Sequence, residues 1–150
     1  MEHWTDKIAS LHPCGEALRW LRTQPDAATA WATCQRGDWM LWIAGKLSGE
    51  VGFASRLKLV GAAADCAATA LPLYESNHPG DSRVRDCIDA CRGHAAGTVT
   101  IDELRSDAAA FAADAAAYAA AAFAADADAA REASLAVSAD IVRRHYQTHP

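Results

Sequence analysis

From Thr98 to Thr148 the chain contains neither Gly nor Pro, and the centre of that stretch, Asp107 to Ala133, is mostly Ala. Alanine loses least on entering a helix because it has no side-chain rotamers to freeze. The stretch therefore reads as one long helix or two nearly collinear ones, and the rest of the chain has to be arranged around it. Leu104, Phe111, Tyr118 and Ala125 recur every seven residues, with Ile101, Ala108, Ala115 and Ala122 beside them at the i+3/i+4 offset. That spacing makes a seam for another helix. Phe123 falls on a different face, and a helix that is apolar on several faces is normally covered on several faces. Straight from Thr100 to Ala133 it would span roughly 50 Å at 1.5 Å per residue, against about 40 Å for the diameter of a compact domain of this size. It must bend, protrude or be shared. The expectation is that it forms either the central helix of a bundle or the interface of a homodimer, with Leu104, Phe111, Tyr118 and Phe123 as the self-association residues.

Between Asp102 and Asp128 the stretch is acidic. Asp102, Glu103, Asp107, Asp114, Asp126 and Asp128 face only Arg105. Asp107, Asp114 and Asp128 flank the apolar seam at heptad-related positions, and with Asp126 they make a row that can steer a basic partner. The competing reading is that they only keep an Ala-rich helix soluble. Asp114 also opposes membrane insertion of the Ala run by roughly 2.5–3.5 kcal/mol, so a soluble helix is expected and no membrane partner. Elsewhere acids and bases are mixed, and a net charge of −5 argues against direct nucleic-acid binding. The five cysteines form an odd set without regular spacing, and Met-Glu-His-Trp-Thr-Asp lacks a secretory pattern, which predicts a reduced, cytoplasmic protein.

Ahead of the long helix the segments are short. Trp4 and Ile8 share a helical face before His12-Pro13, and Gly15 to Arg22 makes a brief helix. Asp26 caps a helix over Ala27 to Gln35, Gly37 stops it, and Asp38 is the expected cap of Trp39 to Leu47. Trp20, Trp31, Trp39 and Trp42 all fall in these segments, which predicts a compact aromatic knot. Val51 to Tyr74 carries Phe53, Leu57, Val60, Ala64, Ala67, Leu71 and Tyr74 as one apolar stripe, ending or kinking near Pro72. After a turn cluster, a helix from Ser82 or Arg83 runs to about Ala96 and stops at Gly97. Thr100 and Glu103 form a capping box, and Ser134 to Ser138 is the expected break before a last helix, Ala139 to Tyr146. No alternating strand pattern occurs. The reading is an all-α helical bundle with a long Ala-rich helix packed on several shorter ones, a single domain with parts 1–47, 51–97 and 100–148.

Little in the chain suggests catalysis. Phosphate-binding, dinucleotide and nucleophile-elbow fingerprints are missing, so the expectation is a non-enzymatic protein with no catalytic residues, cofactor or metal. The alternative of another class is a small helical enzyme or metal-binding protein using Cys87, Cys91 and His94, although zinc usually takes its cysteines from a tight loop. His145 and His149 are four apart but read as a fraying tail. Asp65 lies beside the buried stripe of its helix and needs a cationic partner, for which Arg83, Arg85 and Arg92 are candidates.

Arg56-Leu57-Lys58-Leu59-Val60 with Ala64-Asp65-Cys66-Ala67, Asp81-Ser82-Arg83-Val84-Arg85 leading to Ile88-Asp89-Ala90, and Gly97-Thr98-Val99-Thr100 with Glu103-Leu104 resemble a family of bacterial immunity proteins of polymorphic toxin systems. The resemblance covers about residues 56–125, and Val84 stands where members often have Pro. It implies an all-helical inhibitor that neutralises a protein effector, and it carries over no catalytic residue. Trp31 to Leu47 is similar to a segment of uncharacterised phage and bacterial proteins, which keeps a second reading open: a phage-encoded, anti-CRISPR-like inhibitor of a host defence complex. On either reading the partner is a protein with a basic surface, met through Asp107, Asp114, Asp126 and Asp128.

Overall fold

The computed structural model describes residues 3–49, 54–104 and 128–147. Among them there are helices and turns and no strand, so the fold is all-α. Four short helices come first: α1 (Asp6–Ala9), α2 (Gly15–Leu21), α3 (Ala27–Thr33) and α4 (Gly37–Leu47). They are followed by α5 (Ala54–Ala68), α6 (Leu71–Asn77), α7 (Arg83–Ala95) and α8 (Asp128–His145). Residues 101–104 are also helical.

Local chemistry sets most of these boundaries. The Asp26 carboxylate accepts the Thr29 backbone N–H at 2.7 Å and starts α3, as its position predicts. Thr100 and Glu103 make the expected reciprocal pair, the Thr100 N–H donating to Glu103 at 2.8 Å and the Glu103 N–H to the Thr100 hydroxyl at 3.3 Å. Gly97 has φ +78, and the Thr98 N–H folds back onto the Gly93 carbonyl at 2.8 Å, closing α7.

Three sequence expectations need correction. Asp38 does not cap α4, which begins at Gly37, because its carboxylate is held by the Arg36 guanidinium at 2.9 and 2.8 Å. The helix expected from Val51 to Tyr74 is two helices: α5 ends at Ala68, and Pro72, which has no N–H to donate, sits in the first turn of α6. No break divides Ser134 from Ser138, since α8 continues through both. There the α8 backbone is gripped from two sides, by Gly37 packed against Ser138 and by the Cys66 thiol donating to the Ser138 carbonyl at 3.7 Å.

α5 is the hub, packing on α7, α8, α4 and α6, while α4 also packs on α8. Cys34, Met40, Ala44, Ala62, Ala139, Val142 and Tyr146 form the buried core where these helices meet. Small residues let the axes come close. At Gly37 an added Cβ would lie 2.4 Å from Ser138 Cβ and 2.7 Å from Ala139 N, so the first turn of α4 rests directly on the α8 backbone. The tryptophans do not form the core. Trp20, Trp31 and Trp39 pack against it half-buried.

Candidate functional site

The first four helices are too short to cover one another's indoles, and they enclose a cleft of about 740 Å³. Trp4, Ile8, Trp20, Trp31, Trp39 and Trp42 are among its walls. The Trp20 and Trp39 rings stand 5.9 Å apart and tilted by 51°, a spacing at which aromatic pairs attract beyond their buried area. Polar groups are few and most are engaged. Arg36 lies 4.2 Å over the Trp39 ring while gripping Asp38, and its third contact is Glu16 at 3.4 Å. The Asp38 hydrogen bond drives the Arg36 pKa further up, so this guanidinium is permanently charged. Burial pushes the Cys34 thiol up, which leaves it protonated and inert. The Trp4 indole nitrogen is buried without a hydrogen-bond partner.

The cleft is tied to α8 by long-range polar contacts. Arg143 donates to the Cys34 carbonyl at 2.7 Å and the Trp31 carbonyl at 3.2 Å, satisfying carbonyls at the end of α3 that the helix itself leaves open. The Trp31 indole N–H donates to the Tyr146 carbonyl at 3.4 Å, and the two rings meet edge to face at 6.1 Å. The Tyr146 hydroxyl reaches the Ser55 carbonyl at 3.2 Å.

A second concavity, of about 410 Å³, lies where α5, α7 and α8 converge, with Lys58, Gly61, Asp65, Arg92 and His145 among its lining residues. Arg92 Nε donates to one Asp65 oxygen at 2.8 Å and His145 Nε2 to the other at 2.8 Å. Burial pushes the Asp65 pKa up, but the hydrogen bonds from His145 and Arg92 outweigh it and hold the carboxyl below its usual value. Both oxygens are thus committed, and the group works as a clamp between three helices. Gly61 makes room for it, since a Cβ there would already be 3.3 Å from the His145 ring.

The residues singled out in the sequence separate into three sets. Of the three arginines considered for Asp65, Arg92 takes it, while Arg83 pairs with Asp81 and Arg85 with Glu75. His145 is not a fraying tail: it is half-buried in the clamp, and the signal for it was the unpaired Asp65. His94 donates from Nδ1 to the Val99 carbonyl at 2.9 Å, and among the described residues no three His, Cys, Asp or Glu stand together as a metal site. Leu104 is buried. Asp107, Asp114 and Asp126, with Phe111, Tyr118 and Phe123, lie outside the described residues, as does the side chain of Asp128, whose backbone opens α8. Sequence reasoning missed Arg143 and the open cleft; Arg143 carries no motif, and half-burial of an indole has no sequence mark.

A family model described as Imm-5 like putative immunity protein matches residues 51–149. The match spans α5 to α8 and all three members of the Asp65 clamp, and it leaves the four helices of the Trp-lined cleft outside. It also reaches beyond the stretch, about 56–125, on which the sequence resemblance rested. No curated protein and no solved structure matches the chain.

Proposed function

The chain belongs to the Imm-5 like immunity protein family, and from that premise we propose that it neutralises a protein toxin by binding it and covering its active surface. The observation that carries this reading is the family match over residues 51–149. We read its chemistry as that of a binder: among the described residues, Asp65 has both oxygens taken up by Arg92 and His145 in holding helices together. The contact surface proposed is the acidic row Asp107, Asp114, Asp126 and Asp128, which suits a toxin with a basic substrate groove, because opposite fields speed encounter and disfavour wrong partners. The five cysteines are all unpaired, which supports a reducing, cytoplasmic site of action.

The test is co-expression in a bacterial host of this protein with the toxin encoded beside it, followed by purification of the pair. Restored growth together with a stoichiometric complex at micromolar concentration is the expected outcome. Growth arrest that persists, with two proteins that elute separately, would remove the reading.

A further inference from the structure

The cleft among α1 to α4 has features that toxin neutralisation through the acidic row does not use. Its volume, about 740 Å³, lies inside the range of roughly 300–1,000 Å³ typical of small-molecule sites. Its walls are mainly indole and aliphatic, the kind of lining that small-molecule sites use.

The polar groups around it are unbalanced. Lys7 lines the cleft, and Lys46 stands 5.8 Å above the Trp42 ring at its wall. Neither lysine has a carboxylate partner among the described residues. The single carboxylate on the lining, Asp38, gives both oxygens to Arg36. The side chains therefore offer donors and positive charge and no uncommitted acceptor. Two of the indoles already carry a cation of the protein, Arg36 over Trp39 and Lys46 over Trp42, which disfavours a second positive charge beside them.

We propose that this cleft binds an apolar small molecule with one anionic group, of the chemical class of long-chain or aryl carboxylates: the tail or ring lies among the indoles and the carboxylate faces Lys7, with Lys46 beside Trp42 adding to the positive field. The four helices lie outside the family match, so the site is independent of the immunity reading and stands or falls separately.

The probes are dodecanoate and dodecyltrimethylammonium, which share a tail and differ in charge, each titrated below its micelle concentration into the full chain. Tryptophan fluorescence and calorimetry supply the readouts. Dodecanoate should saturate at one per chain with a Kd at least tenfold lower than that of the cation. Lys7→Glu with Lys46→Glu, both exposed lysines, should weaken dodecanoate about tenfold and erase the preference without changing the helical circular dichroism. Ala27→Phe, on the cleft wall, should compete with the tail and weaken both probes. Absence of saturable binding overturns the proposal. So does equal affinity for the two probes, which would make the cleft a charge-blind apolar groove, and so does binding that neither the lysine pair nor Ala27→Phe alters, which would place the probe elsewhere.

Discussion

His145 Nε2 lies 2.8 Å from Asp65 Oδ2, joining the last turn of α8 to the last turn of α5 across eighty positions of sequence. Arg92 holds the other oxygen, so protonating Asp65 weakens two helix contacts at once. The folded pKa of Asp65 is lowered; its stabilisation is therefore complete above the unfolded value of about 4 and is lost as the pH falls through the folded value. Asp65→Asn should lower stability at neutral pH by about 1 kcal/mol, a figure kept small because the pair is partly solvated. Urea melts from pH 7 down to pH 3 check it: the gap between wild type and variant should narrow below about pH 4. A gap independent of pH would mean that the charge of Asp65 contributes nothing.

Gly37 and Gly45 both lie in α4, yet they should respond in opposite ways to alanine. A Cβ at 37 meets the α8 backbone at 2.7 Å, where nothing flexible can yield, so Gly37→Ala should lose about 1–3 kcal/mol. At 45 the nearest atom is Leu59 Cδ2 at an ordinary 3.6 Å, and Gly45→Ala should gain up to about 0.5–1 kcal/mol from helix propensity. Denaturant midpoints of the two variants, measured together, test the pair. Equal responses would show that α4 does not rest on α8 as described.

Arg143 should be irreplaceable by lysine. Its Nη1 spans the Trp31 and Cys34 carbonyls while Nη2 reaches Asp140 at 2.6 Å, a forked arrangement that an ammonium cannot reproduce. Arg143→Lys should destabilise by about 1–3 kcal/mol, as expected for a charged hydrogen-bond set lost against partly buried carbonyls. Because the contact joins α3 to α8, fluorescence of the N-terminal tryptophans should report the loss. A variant with unchanged stability and emission would contradict that role.

Local signals and long-range ones differed sharply in what they revealed of this structure. Asp26, the Thr100–Glu103 box and Gly97 were legible because a cap satisfies groups within a few residues of itself, and residue type at that spacing is enough to identify it. Asp38 looked equally local but was diverted by Arg36, a competition between two partners that spacing cannot rank. The demand of Asp65 for a cation was readable, whereas the supply of His145 from eighty residues away was not, because only the packing of α8 on α5 brings it there. Ser134 and Ser138 suggested a break, but the contacts of α8 with Gly37 and Cys66 override weak propensity. The tryptophans predicted a core by size alone, and the short helices that carry them leave a cleft instead.

Trp4 and Trp31 carry the same indole in opposite polar states. Trp31 donates to the Tyr146 carbonyl, while the Trp4 nitrogen is buried without a partner. Trp31→Phe should therefore lose about 1–2 kcal/mol, from the hydrogen bond and the edge-to-face contact. Trp4→Phe removes an unsatisfied donor that itself costs about 1–3 kcal/mol, so the smaller ring should leave stability near that of the wild type. Chemical denaturation should rank Trp4→Phe above Trp31→Phe. The reverse order would mean that the Trp4 nitrogen finds a partner in solution.

The acidic row yields a prediction that separates steering from mere solubility. If Asp107 and Asp114 face a basic toxin, Asp107→Lys with Asp114→Lys should weaken the complex about tenfold or more at low salt, with most of the loss in the association rate. Raising the ionic strength should shrink the difference, because exposed charges beyond a Debye length of about 8 Å at physiological salt are screened. Surface plasmon resonance against the cognate toxin at two salt concentrations measures both effects. If the double variant binds as the wild type does at both, these carboxylates only keep an Ala-rich stretch soluble, and the toxin-binding surface has to be sought elsewhere on the protein.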